Sequence, residues 1–396
     1  MIGQNLFRRW IILAGISVVA LTPGVAARGN QTGHPRVTVL RTPQGGIQPQ
    51  VAVDARGVLH LLYFKGDPSC GDIYYARKAP GAAEFSDPIR VNSQSGCAIA
   101  MGSVRGPQLA LGRNGRVHVA WMAAHPEGPE RAAPMLYTRL NDTKSAFEPE
   151  RNVMQFATGL DGGASVAADK FGNVYVVWHA NPQHNGEAHR RVWVAWSSDE
   201  GKTFAREIPA DPFIEQEPTG ACGCCGMRAL TDEGGTLYIF YRAATNEIHR
   251  DTVLLVSRDY GRHFVAEWVA KWELNACPMS TDFISRTRLN TLIAWETAGQ
   301  VFYARVAPGG DKISEAVAPP GPGGDRKHPV VVSNARGEIL LAWTDGTAWQ
   351  RGGSVAWQVF DEGGRPLSQK GNLPGLPVWD LVAAFAGTDG RFTILY

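Results

Sequence analysis

The segment Cys222-Gly223-Cys224-Cys225-Gly226 places three thiols within four residues, and Cys277-Pro278 supplies another farther along the chain. Two chemistries use thiols at this density. In an oxidising compartment they pair as disulfides; as thiolates they hold soft metal ions, here with His249 as a candidate nitrogen ligand. A bridge between adjacent Cys224 and Cys225 is strained, so the expectation is that one of them pairs with Cys277. Cys70 and Cys97, the other two of the six cysteines, are placed for a second bridge that closes a loop of moderate size. The spacing of the cluster is not that of a zinc finger.

Arginines and carboxylates form a second set. Arg105, Arg228, Arg242 and Arg250, with His328, suit a carboxylate or sulfate ligand, because guanidinium forks bind such groups bidentately. Asp72, Glu217 and Asp282 are the acid–base candidates for work on a glycosidic bond, which needs two carboxyl groups ~5–9.5 Å apart. Trp349, followed by Arg351-Gly352-Gly353, offers a ring that can stack on a sugar. Taken singly, each of these side chains is equally at home as a solvated or paired charge on a loop.

The compartment is read from the first residues. Arg8 and Arg9 precede an apolar stretch from Trp10 to Leu21, and Val25 and Ala27 meet the small-residue cleavage rule. Residues 1–27 therefore read as a signal peptide, and export to the periplasm or beyond is the expectation. The apolar stretch is shorter than the ~20 residues a spanning helix needs. Net charge is +2 with both signs interspersed, which argues against a nucleic-acid surface.

Positioning these side chains falls to a repeat. A short strand, a turn with Gly and a second strand ending in an aromatic recur down the chain. The closing aromatics are Tyr63, Trp121, Trp178, Tyr241, Trp295 and Trp343, at intervals of 58, 57, 63, 54 and 48 residues. A last copy, Leu381 to Tyr396, ends 53 residues after Trp343. A second strand pair follows each full copy. Four short strands per period predict β-propeller blades, and no stretch of residues 28–396 sustains a helical period. The count is six complete blades and a half blade. The segment from Arg36 to Arg41 is placed to complete the half, which would remove a sheet edge and give seven blades.

Two octapeptides reinforce this reading. Ser197-Ser198-Asp199-Glu200-Gly201-Lys202-Thr203-Phe204 fits S-x-D-x-G-x-T-F, and Ser257-Arg258-Asp259-Tyr260-Gly261-Arg262-His263-Phe264 keeps all of it except the Thr. Ser and Asp side chains bond the backbone of such a turn, Gly takes the φ > 0 position and Phe tucks under the next strand. The pattern resembles the Asp box, or BNR repeat, of the sialidase family. That resemblance implies a single propeller domain over residues 28–396, with six blades in the family, and a glycan as the partner. Sialidases carry an arginine triad, a Tyr–Glu nucleophile pair and an acid–base Asp. Where the family has an R-I-P motif on the first strand, this chain has Ile47-Gln48-Pro49, without the Arg.

With strands lettered A to D outward from the channel, the octapeptides lie between C and D. The D-to-A and B-to-C connections then share the opposite face, and all six cysteines fall on it. Three functions remain open: an exported, sialidase-like glycoside hydrolase on acidic glycans, a non-catalytic glycan- or protein-binding propeller, and a metal or redox propeller using Cys222, Cys224, Cys225 and Cys277. The first two need no cofactor and no metal.

Overall fold

A computed structural model describes residues 36–102, 106–124, 133–210 and 219–396. The expected signal peptide, Arg105 and Glu217 lie outside these residues. The alternating apolar runs of the sequence form strands buried on both faces, because each blade is packed between two others. In the run Val174–Ala180, for example, every residue is buried.

Seven sheets result. Blades one to four span 47–90, 108–152, 160–209 and 228–270, and each has four antiparallel strands in chain order. Blade five (283–306) has three strands, and Val317 occupies the fourth position through paired backbone hydrogen bonds with Tyr303 of 2.8 and 2.9 Å. Blade six (326–376) is again four-stranded. Blade seven joins Ala383–Ala386 and Phe392–Leu395 to the N-terminal strand Val37–Leu40. The first strands of successive blades touch in turn, and that of blade seven touches that of blade one, so the ring is closed.

The closing strand stands in the expected position, and its direction is parallel. Val37–Leu40 runs parallel to Phe392–Leu395, with Val37 opposite Phe392 and Leu40 opposite Leu395. The chain end is further sewn in by hydrogen bonds from Thr42 N to Tyr396 O (2.6 Å) and from Tyr396 N to Leu40 O (3.1 Å). Among the described residues no helix is long and apolar enough to cross a membrane.

Both octapeptides form the turn between third and fourth strands. Ser197 Oγ accepts from Gly201 N at 2.8 Å, and Asp199 accepts from Thr203 N at 2.9 Å and from Thr203 Oγ1 at 2.7 Å. In the second copy His263 takes the place of Thr203, with its Nδ1 2.6 Å from Asp259 Oδ2. Gly201 (φ 77°) and Gly261 (φ 76°) occupy the left-handed position. Phe204 packs edge-on against Tyr137 of the preceding blade, and Phe264 is buried.

Candidate functional site at the channel mouth

The innermost strand of several blades is kinked where it leaves the mouth. In blades one and six the pairing register slips, between Ile47 and Gln50 and between Lys327 and Val330. Both slips sit on an X-Pro step, Gln48-Pro49 and His328-Pro329. Gln48 (φ 54°) and His328 (φ 51°) adopt left-handed backbone there, as does Trp379 (φ 65°) in the connection into blade seven. Side chains rarely tolerate this region, and bulges of this kind re-aim residues at the rims of β-structures. Here they bring His328 and Trp379 to one place, while the Gln48 side chain donates to Trp379 O behind it.

That place is a cavity lined by Trp349, Arg351, His328, Trp379, Asp380 and Met279. Trp349 is 51% exposed and meets Trp379 edge-to-face at 4.6 Å between ring centroids. Arg351 Nε donates to Gly346 O at 2.9 Å, which holds its loop and leaves the rest of the guanidinium outward. Asp380 accepts from Gln48 N at 2.7 Å and Leu381 N at 2.8 Å through Oδ1, while Oδ2 has no protein partner. Burial raises its pKa to about 7, against the two backbone donors and Arg41. His328 is buried, and desolvation holds it neutral, at about 3. The structure thus brings together Trp349, Arg351 and His328 with Asp380, a carboxyl that the sequence also places on this face, and adds Trp379.

Arg228, Arg242 and Arg250 are buried. Arg242, 2% exposed, donates to Arg250 O at 2.7 Å and Glu296 O at 2.6 Å and lies over the Trp272 ring at 5.1 Å. Asp282 Oδ1 is 3.7 Å from its Nη2. Burial raises Asp282 to about 7, opposed by Arg242, and burial likewise lifts Glu296. Arg228 is also buried; desolvation lowers it to about 10, and its guanidinium sits 5.8 Å from the Phe283 ring centroid. Arg250 donates to Glu187 Oε2 at 2.8 Å. Asp72 stands on the third strand of blade one and binds the connection that follows the blade, accepting from Asn92 Nδ2 (2.7 Å), Gly96 N (2.8 Å) and Ser95 Oγ (3.2 Å). Although partial burial pushes the other way, these donors keep its carboxyl below the usual range, the opposite of what a proton donor needs.

The cysteines depart from expectation. All six are free thiols, so neither the Cys70–Cys97 bridge nor a bridge to Cys277 is formed. Cys70 and Cys277 are exposed, and Cys97 Sγ lies 3.8 Å from Glu150 Oε1. The turn at Cys222-Cys225, closed by Cys225 N to Cys222 O at 3.2 Å, points its thiols at one another instead. Sulfur separations are 3.2 Å for Cys222–Cys225, 3.4 Å for Cys222–Cys224 and 4.0 Å for Cys224–Cys225. Burial works against a charge on Cys225, but hydrogen bonds from Cys222 and Cys224 and the charge of Arg242 outweigh it and bring its pKa below the ordinary thiol range.

A wider groove at the seam of blades one and seven, lined in part by Leu40, Val53, Phe85 and Phe385, lies among the A–B and C–D turns of the far face. It gathers none of the candidate residues.

No known family profile matches the chain, and no curated protein matches it in sequence. Solved structures do share its fold. A protein of unknown function from Dyadobacter fermentans matches with a TM-score of 0.54 at 13% identity, over 82% of this chain and 96% of that one. The α-L-arabinofuranosidase of Fusarium graminearum, in complex with arabinobiose, matches at 0.54 and 10% identity, over 82% and 97%. The α-L-arabinanase of Penicillium chrysogenum, also with arabinobiose, matches at 0.50 and 12% identity, over 82% and 95%. The chain is thus similar in architecture to propellers that include glycoside hydrolases.

Proposed function

We propose that this protein is an exported propeller that recognises a glycan in the channel-mouth cavity between blades six and seven. The observation that carries the reading is the convergence of Trp349, Trp379, Arg351 and Asp380 on one concave site. Exposed indole faces stack on sugar rings, a guanidinium selects a carboxylate or sulfate, and a carboxyl group orients hydroxyls. An acidic oligosaccharide is the ligand this set fits. Recognition is favoured over hydrolysis because the lining holds a single carboxyl group, whereas glycosidic cleavage commonly uses two.

A second reading, a sialidase-like hydrolase, rests on Asp380 itself. A carboxyl group poised at about 7 is a competent proton donor at neutral pH. One experiment separates the readings. The purified protein and Trp349→Ala are titrated with neutral and acidic oligosaccharides, and the same panel as fluorogenic glycosides is assayed for turnover. Saturable binding of an acidic glycan, weakened roughly 10-fold or more in the variant, with no turnover supports recognition. Turnover abolished by Asp380→Asn supports the hydrolase. Binding that is indifferent to Trp349 defeats both.

A further inference from the structure

We infer that Cys222, Cys224 and Cys225 form a three-coordinate thiolate site for a soft monovalent cation, Cu(I). The three sulfur atoms lie within 4.8 Å of one another, and no His nitrogen or carboxylate oxygen among the described residues joins them at that spacing. The spacing suits a single metal ion, and ligand number decides which one. With metal–sulfur bonds of ~2.3 Å, thiolates stand about 3.8 Å apart around a tetrahedral ion and about 4.0 Å apart around a trigonal one. The Cys224–Cys225 separation of 4.0 Å already matches the trigonal spacing, and those of 3.2 and 3.4 Å reach it by opening about 0.8 and 0.6 Å. Structural Zn(II) takes four ligands, and the described residues supply three; a soft ion content with three sulfurs is Cu(I). His249, the nitrogen ligand considered from the sequence, instead lies beside Glu273, with Nδ1 3.7 Å from its carboxylate.

The surroundings hold the trio in place and offset its charge. Gly223 N donates to Glu187 Oε1 at 3.0 Å, and Glu187 is held in turn by Arg250 and, at 3.2 Å, by Arg190. Arg190 also donates to Ala221 O at 3.0 Å, so the cysteine turn is clamped at both sides of Cys222. Cys222 N is bonded to Arg242 O at 2.9 Å, and Gly226 N to Ser280 O at 2.9 Å, which ties the turn to blade four and the connection into blade five. Such outer partners fix ligand orientation before the ion arrives. Cys222 and Cys225 are 1% and 3% exposed, whereas Cys224 is only partly covered and marks the side from which an ion enters. Binding is proton exchange without redox change: each sulfur that arrives as a thiol releases its proton to solvent as its bond to Cu(I) forms. The charge of the resulting thiolates faces Arg242 and Arg250.

The test uses the full chain, reduced and handled without oxygen, titrated with Cu(I) against a competing chelator. One Cu(I) per chain, three sulfur neighbours by X-ray absorption, and a Cu(I)-dependent slowing of alkylation at the partly exposed Cys224, but not at Cys70 or Cys277, are expected. Cys224→Ser should weaken binding at least roughly 100-fold, beyond the loss caused by removing an outer partner, while Cys277→Ser should leave it unchanged. The alkylation pattern of the unaltered protein decides the matter even if Cys224→Ser does not fold. Alkylation that ignores the metal, binding retained in folded Cys224→Ser, an equal loss in Cys277→Ser, or a four-coordinate Zn(II) preferred over Cu(I) would each overturn the assignment.

Discussion

Asp380→Asn should remove a pH dependence of stability that the native protein carries. The Asp380 carboxyl is 4% exposed and titrates at about 7 in the fold, against 3.8 for an unperturbed group. Below the unfolded value both states hold the proton, and the contribution to stability is fully present. Between about 4 and 7 the folded state keeps a proton that the unfolded chain releases, so stability falls as pH rises. Above the folded value the loss is complete. Its full size is the difference of about 3 units times 1.36 kcal/mol, or ~4 kcal/mol. For a unit of about 360 residues, with a melting entropy of ~2.1 cal/mol/K per residue, that is a Tm change of roughly 6 °C. Asn keeps an acceptor for Gln48 N and Leu381 N and cannot ionise. The Tm of Asp380→Asn minus that of the native protein should therefore grow by about 6 °C between pH 4 and pH 8.5. Asp282, also at about 7, is common to both proteins and cancels in the difference. Melting curves across that range supply the measurement, and a difference flat within ~1 °C would refute the reasoning that burial, rather than its donors, controls this carboxyl.

Other perturbations follow from named contacts. Arg242→Ala removes two hydrogen bonds to carbonyl oxygens and the cation beside Asp282, so a loss of ~3–5 kcal/mol is expected, read as a Tm fall of roughly 4–6 °C. Gly201→Ala places a Cβ 1.8 Å from Tyr137 Oη at a φ of 77°, and Tyr137 Oη is bonded to His118 Nδ1 at 2.7 Å. Its Tm should fall, with a change in the near-UV signal of the displaced tyrosine; an unchanged Tm would contradict the packing. Asp199→Ala strips the acceptors for Thr203 N and Thr203 Oγ1 and the partner of Ser197 Oγ, costing ~1–2 kcal/mol by denaturant titration.

The blades were legible because a propeller writes its core into a period. Tyr63, Trp121, Trp178, Tyr241, Trp295 and Trp343, the aromatics that end each repeat, are all between 0 and 5% exposed. A spacing that wanders from 48 to 63 residues still marks the blades, since the variation is absorbed by loops. The ring closure was legible as an economy of sheet edges, but the parallel direction of Val37–Leu40 was not, because pairing direction leaves no trace in so short a strand. The site was legible only in part. Arg242 stands at a strand end and reads as a loop charge, while the structure carries it under Trp272. Cys277 looked like a bridge partner because spacing in sequence says nothing of which thiols the turn at 222–225 faces inward. Asp380 falls on this face by the strand order alone, whereas Trp379 sits in an unremarkable connection. The signal that could have found the mouth was the proline at Gln48-Pro49 and His328-Pro329, which cannot donate to the ladder and so marks a bulge at the start of an inner strand.

Those strained positions explain why the cavity and the ring closure belong together. A left-handed backbone at a bulky residue costs ~1–3 kcal/mol and persists only where its neighbours over-determine it. Gln48 and Trp379 do this for each other. Gln48 N donates to Asp380 Oδ1 at 2.7 Å, and Gln48 Nε2 donates to Trp379 O and to Ala100 O, each at 2.8 Å. Gln48 opens blade one, Trp379 and Asp380 lead into blade seven, and Ala100 lies on the way to blade two. The bonds therefore cross the seam at which the two ends of the chain meet. Anything that lets the first and last blades separate also releases the carboxyl and the indole that line the mouth. The closing strand Val37–Leu40 reaches the same seam from the outside, so holding the ring shut and holding Asp380 in a dry, proton-retaining position are one structural task. A chain that only needed to close could do so without strain. The bonds from Gln48 to Asp380 and Trp379 therefore serve the closure of the ring and the mouth of the cavity at once.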